Sequence, residues 1–367
     1  MRQKDAPCWP LSRKRTPFYL ITNVIVGRWR HPPILPRQPA HLLIMKAAVL
    51  FQPGELPRYT DISEPTPQSS DEVVLTMRAA ALKHLDKSRA SGTHYSTAGQ
   101  ASSATVIGGD GIGLLPTGKR VYMVGGDGTL AEKAVADKNR LVPVPANLDD
   151  VTAAALPNAV IGSAMGLRFR AKLQKGETVL INGATGFTGK MAVQLARYLG
   201  AGHIIATGRN EQTLQELRAL GADELVSLRQ DDAALVEQLK AIHSRTPLDV
   251  IVDYLWGHSA ALLLSCLKGN GMFTHKTRFV SIGSVTGDLL QLSAETLRSV
   301  DLQLSGSGLG SWTRGEVREL LHDILPRAFR LAAEGKLRVD TVRVKLADIE
   351  QVYELAVPDG KRLVVML

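Results

Sequence analysis

The chain has little cysteine and no long apolar run, and both shortages narrow the kinds of protein it can be. Only Cys8 and Cys266 occur among its 367 residues, so neither a disulfide framework nor a four-cysteine metal site can be built. The apolar stretch 18–26 is far shorter than the roughly 20 residues that cross a bilayer, and no small-residue cleavage pattern follows it. We therefore expect a cytoplasmic protein without a membrane partner.

Acidic residues are scarce at the start of the chain, and this scarcity accounts for most of the net charge of +9. Residues 1–44 contain eight Lys or Arg and one acid, Asp5, so this arm carries +7 and the rest of the chain carries +2. A body so close to neutral argues against nucleic acid as its partner. We interpret 1–44 as a basic, disordered extension, with Met45 opening the folded part.

Two patterns of apolar residues follow one another along the body of the chain. Short apolar runs separated by glycine, proline and serine predict a mainly β domain. From Glu177 onward, buried strands alternate with amphipathic helices, which predicts a parallel, doubly wound α/β sheet. We therefore predict that a Rossmann-type sheet, 161–305, is inserted into a β domain formed by 45–160 and 306–367.

The same patterns also predict three local features of the chain. Residues 149–156 and 161–173 are predicted as separate helices, and 316–333 as one long helix. Gly108, Gly109, Gly111 and Gly113 are predicted as turns between strands.

A glycine-rich turn follows the predicted strand 178–181 and leads directly into a predicted helix, 190–199. Its three glycines are spaced three residues apart, as a phosphate-binding turn requires. Glycines allow close backbone approach, and the free N–H groups of a helix N-terminus attract a pyrophosphate. The predicted cofactor contacts in this turn are Gly183, Gly186, Phe187, Thr188 and Gly189.

The end of the next predicted strand, 203–207, indicates which nicotinamide cofactor is bound. An NAD site places Asp or Glu there to hold the ribose hydroxyls, whereas this chain continues with Gly208, Arg209 and Asn210. The planar guanidinium of Arg209 suits a 2′-phosphate; in the alternative, Glu211 holds the ribose and Arg209 is only solvated. The strand end favours NADPH over NADH and adds Gly208, Arg209 and Asn210 to the predicted contacts.

Later strand ends supply the remaining cofactor candidates, because ligands bind outside the carboxyl ends of parallel strands. Tyr254 and Trp256 follow one strand and could flank the cofactor or an aromatic substrate, or else pack as part of a lid. Gly283 and Ser284 hold the equivalent place on a later strand and are predicted contacts on the nicotinamide side.

Several stretches resemble the medium-chain dehydrogenase/reductase superfamily, in order and over nearly all of 45–367. They are MKAAVL, GKRVYMVGG, LVPVPANLDDVTAAALP, NGATGFTGKMAVQLARYLGA, GADELV, FVSIGS, LQLSGSG and GKRLVV. The resemblance implies a GroES-like catalytic domain around a Rossmann domain, with the active site in the cleft between them. It also implies a homodimer that forms through edge strands near 302–305.

The residues that hold zinc in other members of that superfamily are missing. Lys83 stands where zinc-dependent members have a Cys, Gly109 replaces their His, and their third ligand falls near Asn158 or Ala159. No closed set of nitrogen and sulfur ligands for zinc is left. The Gly108-Gly109-Asp110 pattern resembles the zinc-free quinone oxidoreductase branch, which implies that no metal is bound. Lys83 also departs from the Asn usual in that branch.

The chemistry expected of such a site is hydride transfer to a conjugated acceptor. Alcohol oxidation is difficult without a metal, whereas a quinone or an enone spreads the negative charge that develops on its oxygen. Lys83 and Tyr95 are the candidate proton donors, and Asp86 is the third candidate, expected to orient the loop or a neighbouring lysine rather than to react. The alternatives are a surface lysine and a packed tyrosine.

Two other functions are consistent with the sequence. One is reduction of an enoyl thioester, which would require a basic pocket for the carrier phosphate. The other is a non-catalytic protein that binds NADPH as a sensor, or RNA through its basic arm.

Overall fold

The computed structural model describes residues 43–94, 104–124, 128–269, 272–358 and 360–367. Its strands are β1 (Ile44–Leu50), β2 (Arg58–Ser63), β3 (Glu72–Leu82), β4 (Thr105–Val106), β5 (Asp110–Leu114), β6 (Arg120–Val124), β7 (Lys133–Asp137), β8 (Leu141–Pro143), β9 (Thr178–Asn182), β10 (His203–Gly208), β11 (Glu224–Ser227), β12 (Val250–Asp253), β13 (Thr277–Ser281), β14 (Leu302–Gly306), β15 (Asp340–Lys345) and β16 (Lys361–Met366). Its helices are α1 (His84–Ala90), α2 (Asp150–Ala164), α3 (Phe187–Tyr198), α4 (Glu211–Glu216), α5 (Asp232–Arg245), α6 (Gly257–Cys266), α7 (Ala294–Ser299), α8 (Arg314–Glu319), α9 (Leu325–Ala333) and α10 (Ile349–Val352).

The middle of the chain forms the predicted parallel sheet. Within the described ranges its strands lie in the order β11-β10-β9-β12-β13-β14, so the sheet starts at its centre with β9 and grows outward on both sides. Every residue of β9 is buried, as expected of a strand with helices on both faces. The strand order reverses between β9 and β12, and ligands of doubly wound sheets bind at the carboxyl ends of strands at such a reversal. The predicted α/β fold is confirmed.

The strands at the two ends of the chain form the mainly β part. The described strands β15-β16-β3-β5-β6-β8 make one sheet, with β7 also paired to β3, and β2-β1-β4 make a smaller one. The last strand returns to the first sheet, because Leu363 to Met366 of β16 pair with Leu82 to Ala79 of β3. The Rossmann-type sheet is thus inserted between two segments of a β domain, as the sequence predicts. The boundaries at 160 and 305 remain predictions.

The prediction of turns at Gly111 and Gly113 is wrong, because both lie within strand β5. A Cβ atom at Gly111 would lie 2.8 Å from Cε of Met77, and one at Gly113 would lie 2.9 Å from Cβ of Leu75. The glycines therefore allow β5 to lie directly against the side chains of β3. Glycine here marks close packing within a sheet rather than a change of chain direction.

The predicted break between two helices around residue 157 is also wrong. Helix α2 continues through the buried Pro157 and is followed by a π-helical turn, Met165–Arg170. Burial of most of α2 against β3 and α3 outweighs the lost hydrogen bond of the proline. Conversely, the helix predicted over 316–333 is divided by a π-helical turn, Leu320–Ile324.

Candidate functional site

The predicted phosphate turn joins β9 to α3, and the helix begins at Phe187, three residues earlier than predicted. Gly183 has a φ of +84°, and a Cβ there would lie 2.9 Å from Cδ2 of Leu255. A Cβ on Gly189 would lie 2.3 Å from the carbonyl oxygen of Gly183. Gly186 is different: its φ is −72°, and the nearest atom to an added Cβ is 3.6 Å away. The fold itself therefore requires Gly183 and Gly189, whereas the space at Gly186 is left open for a ligand.

Gly186 is also the N-cap residue of α3 and has no side chain to cap it. The first N–H groups of an α-helix have no partner within the helix and attract anions. Phe187 and Thr188 are the first two residues of this helix, so their N–H groups lie at its N-terminus, where the sequence predicts the phosphate. The donors, together with the open space at Gly186, fit the pyrophosphate of a dinucleotide.

A buried polar network supports the turn from below. Asn182 donates to Oδ1 of Asp253 at 2.8 Å and accepts from Oγ1 of Thr207 at 2.7 Å. Thr207 also accepts from the N–H of Gly183 at 3.2 Å. Burial raises the pKa of Asp253, although the hydrogen bond from Asn182 and those from the N–H groups of Leu255 and Trp256 oppose the rise. The network fixes the ends of three adjacent strands relative to the turn.

The next strand end places Arg209 beside the turn. A Cβ on Gly208 would lie 2.2 Å from Cγ2 of Thr185, so β10 ends directly against the glycine-rich loop. Arg209 is exposed and makes no hydrogen bond or ion pair with any residue that the structure describes.

Glu211, the alternative ribose ligand, accepts a hydrogen bond from the hydroxyl of Ser227. Asn210 caps α4 by accepting from the N–H of Thr213 at 3.0 Å. Arg209 is thus the side chain of this strand end that is free to bind a phosphate.

A cavity of about 470 Å³ opens at the carboxyl ends of β13 and β14. It contains the predicted contacts Gly283 and Ser284. Its other lining residues are Trp256, Ser281, Ile282, Asp288, Gly306, Ser307, Gly308, Gly310 and Ser311. Tyr254 does not line it: its hydroxyl lies 2.8 Å from Oγ of Ser163, and burial raises the pKa of the phenol. The hydroxyl of Tyr254 therefore lies against α2 and not in the cavity.

Trp256, in contrast, lines the cavity with a strained backbone. Its φ of +59° is uncommon for any residue other than glycine. The N–H of Trp256 donates to Asp253 at 3.0 Å, and its ring packs edge-on against Phe279 at 6.3 Å between centroids. The hydrogen bond to the Asp253 carboxylate and the ring contact with Phe279 together hold Trp256 in this conformation.

Lys83 is buried and fully bonded, with only 3% of its surface exposed. Its ammonium group forms ion pairs with Asp110 and, at 3.0 Å, with Asp86, and donates to the carbonyl of Ala81 at 3.0 Å. Burial disfavours the charge, but the two carboxylates outweigh it and raise the pKa of Lys83. Three donors meet three acceptors, so the ammonium has no hydrogen left for a substrate. Tyr95, the other candidate donor, lies outside the described residues.

The carboxylates around Lys83 are held by further bonds. Asp86 accepts from the N–H of Lys83 at 2.9 Å, which closes the first turn of α1. Asp110 accepts from the buried hydroxyl of Tyr122 at 2.7 Å, and burial raises the pKa of that phenol. His84, next to Lys83, is exposed at the surface of α1, and partial burial lowers its pKa.

Arg362 is a functional candidate that the sequence analysis missed. Its guanidinium carbon lies 4.5 Å from the centre of the Phe187 ring, and only 8% of the residue is exposed. It makes no hydrogen bond with any described residue, and its Nε is buried without a partner. Burial lowers the pKa of Arg362 to about 10, against the attraction of Asp110 and Asp86. The signal in the sequence was a charged residue at an inward position of an otherwise apolar strand, RLVVM.

The described residues contain neither a cluster suited to a metal ion nor a helix suited to a membrane. Within the described ranges, no three His, Cys, Asp or Glu side chains are grouped so that they could hold a metal ion. No helix in those ranges is both long and apolar enough to span a bilayer.

Comparison with known proteins identifies relatives of this chain. A family model described as zinc-binding dehydrogenase matches residues 188–325. The probable NADPH-dependent quinone reductase tdiC of Emericella nidulans is 26% identical over 354 residues, which are 84% of this chain and 96% of that protein. The spectinabilin polyketide synthase system protein NorB of Streptomyces orinoci is 32% identical over 78% of this chain, but this chain spans only 12% of it.

A solved structure is also similar to this chain in both sequence and fold. The quinone oxidoreductase of Thermus thermophilus, also solved in complex with NADPH, has a TM-score of 0.70 and 26% identity. The match covers 88% of this chain and all of that one. Together these matches support assignment of the chain to the medium-chain dehydrogenase/reductase superfamily of oxidoreductases, in its quinone oxidoreductase-like branch.

Proposed function

We propose that the protein is an NADPH-dependent reductase that transfers hydride to a quinone or an α,β-unsaturated carbonyl without a metal. The observation that carries the proposal is the presence of two arginine side chains beside the phosphate turn. Arg362 lies against the first residue of α3, and Arg209 follows the strand end that packs on the turn, each without a hydrogen bond to any described residue. The resemblance to an NADPH-dependent quinone reductase supports the same cofactor.

In this proposal, distinct groups of the chain hold distinct parts of the dinucleotide. The N–H groups of Phe187 and Thr188, with the guanidinium of Arg362, bind the pyrophosphate. Arg209 binds the 2′-phosphate, because its rigid fork matches phosphate oxygens. The cavity next to Gly283 and Ser284 takes the nicotinamide end and the acceptor.

The bound cofactor supplies a hydride, and the chain supplies orientation and a shielded cleft. The cavity has the size of a small-molecule site, and its serine hydroxyls at 281, 284 and 307 can donate to an acceptor oxygen. The side chain of Trp256 offers an aromatic wall to a planar acceptor.

The environment of Lys83 is the reason for proposing a reaction without a metal. A protonated amine has no lone pair for a metal, and here it neutralises Asp110 and Asp86, the nearest carboxylates. Because its three hydrogens are used, Lys83 is better suited to positioning than to proton donation. We infer that the proton reaches the product from water or from Tyr95.

The protein is also proposed to form a homodimer in a reducing compartment such as the cytoplasm. Strand β14 is an edge strand of the described sheet, paired only with β13. Two leucines near it, Leu304 and Leu309, are 37% and 49% exposed. An exposed edge with apolar side chains is suited to pairing with a second copy.

The test is NADPH oxidation by the full chain with quinones, enones and an enoyl thioester, measured in parallel. We expect turnover with a quinone or an enone that exceeds turnover with NADH and survives prior treatment with a metal chelator. Loss of activity on chelation would contradict the metal-independent mechanism. Preference for the thioester would reassign the substrate class. Tight NADPH binding without any turnover would favour a sensor.

A further inference from the structure

Four charged side chains are buried together where the β domain meets the start of α3. These residues, Lys83, Asp86, Asp110 and Arg362, form what we call the buried charge cluster, and none is more than 8% exposed. The cluster contains two cations and two anions, so its charges balance. The pairing is nevertheless unequal, because Lys83 bonds to both carboxylates and Arg362 bonds to neither.

The carboxylates are already engaged on the side of the β domain. Asp110 uses one oxygen for the ammonium of Lys83 and the other for the hydroxyl of Tyr122. Asp86 uses one oxygen for both the ammonium and the backbone N–H of Lys83. The ion pairs that Arg362 would otherwise form are therefore made by Lys83.

Arg362 is the neighbour of Leu363, which pairs with Leu82 next to Lys83, and it is attracted to these carboxylates without being bonded to them. Its pKa falls on burial, and Asp110 and Asp86 are the two groups that counteract the fall. Its guanidinium lies instead on the ring of Phe187, the first residue of α3. A buried N–H group without a hydrogen bond, such as the Nε of Arg362, is costly for a protein, so this arrangement is suited to a state in which an anion binds the guanidinium.

We propose that Lys83 is a positioning residue for the cofactor: by neutralising Asp110 and Asp86, it keeps Arg362 free to bind a phosphate of NADPH. This inference rests on the proposed function, because it takes NADPH as the ligand of the turn.

Removal of the Lys83 ammonium changes which cation pairs with the two carboxylates. Asp110 and Asp86 then remain buried without a cation, and Arg362 is the other cation of the cluster. The long side chain of Arg362 turns toward the carboxylates, because an unpaired buried charge is unfavourable. The phosphate of the cofactor then has to compete with Asp110 for the same guanidinium. When Asp110 is neutralised as well, much of that competition disappears.

The test measures the dissociation constant of NADPH by fluorescence titration of the full chain, without an acceptor. The variants are Lys83→Met, Lys83→Met combined with Asp110→Asn, and Lys133→Met as a control. Lys133 pairs with Glu64 at 2.5 Å on β7, away from the cluster. Thermal denaturation reports whether each variant is folded, and Lys83→Gln replaces Lys83→Met if that variant does not fold.

We expect a rise of about tenfold or more in the dissociation constant for Lys83→Met, as for the loss of one charged hydrogen bond. The double variant should recover to within about threefold of the wild type, which a merely structural role of Lys83 would not produce. An unchanged affinity in folded Lys83→Met or Lys83→Gln would overturn the proposal. So would a double variant as weak as the single one. Failure of the wild type itself to bind NADPH would instead reject the proposed function.

Discussion

The guanidinium of Arg362 lies 4.5 Å from the ring centre of Phe187, and this contact joins the last strand of the β domain to the first turn of the phosphate-binding helix. In the sequence, these two residues are separated by most of the strands of the nucleotide-binding sheet. The contact places a charge from one domain beside the N–H groups of the other. Cofactor binding should therefore depend on both domains.

Arg362→Met should weaken binding of NADPH and of NADH alike, because both carry the pyrophosphate. Loss of one charged hydrogen bond predicts a roughly 10- to 100-fold rise in either dissociation constant. Fluorescence titration with each cofactor measures it. An effect confined to NADPH would assign Arg362 to the 2′-phosphate instead.

Arg209→Gln should weaken NADPH binding by roughly 10- to 100-fold and leave NADH binding unchanged, since only NADPH carries the 2′-phosphate. Arg245→Gln is the matched control, because Arg245 is an exposed arginine paired with Glu224 at 2.9 Å. The ratio of the two dissociation constants is the quantity to compare. Equal weakening of both cofactors would show that Arg209 is not the discriminating residue.

Gly186→Ala and Gly189→Ala should separate binding from folding. The space around Gly186 admits a Cβ, so Gly186→Ala should keep the denaturation midpoint of the wild type while NADPH affinity falls, because the methyl group fills the space for a phosphate. Gly189→Ala should lower the midpoint, because its Cβ would lie 2.3 Å from a carbonyl oxygen. Normal affinity in Gly186→Ala would show that the phosphate does not approach this residue.

Trp256→Gly should be more stable than Trp256→Ala. Both variants lose the ring, but only glycine relieves the strain at a φ of +59°. Strain relief of about 1–3 kcal/mol exceeds the entropic cost of glycine, about 0.5–1 kcal/mol. Chemical denaturation of the two variants gives the difference in unfolding free energy. A less stable glycine variant would show that the backbone at Trp256 is not strained in solution.

Leu304→Lys should shift the protein from dimer to monomer, because it places a charge on the exposed edge strand β14. Sedimentation velocity measures the change. Leu355→Lys is the control, since Leu355 is similarly exposed, at 44%, and lies in the β domain. A wild-type protein that sediments as a monomer would reject the proposed dimer.

Periodicity and glycine spacing in the sequence determined the class of fold and the place of the glycine-rich turn. Alternating strands and helices can bury their apolar faces in few ways, and a parallel sheet with helices on both faces is the common solution. The turn is local: a strand, three glycines and a helix follow one another within about a dozen residues. The sheet and the order of strand, turn and helix are both present in the structure.

Tertiary structure decided what local pattern could not. Gly111 and Gly113 looked like turn residues, and only the side chains of β3 pressed against them show why a strand needs glycine there. Lys83 looked like a surface lysine or a donor until Asp110, 27 residues away, was found beside it. Arg362 acquired a role only through Phe187, which lies in the other domain. Burial and long-range pairing set the state of a charged group, and neither is written in the residues adjacent to it along the chain.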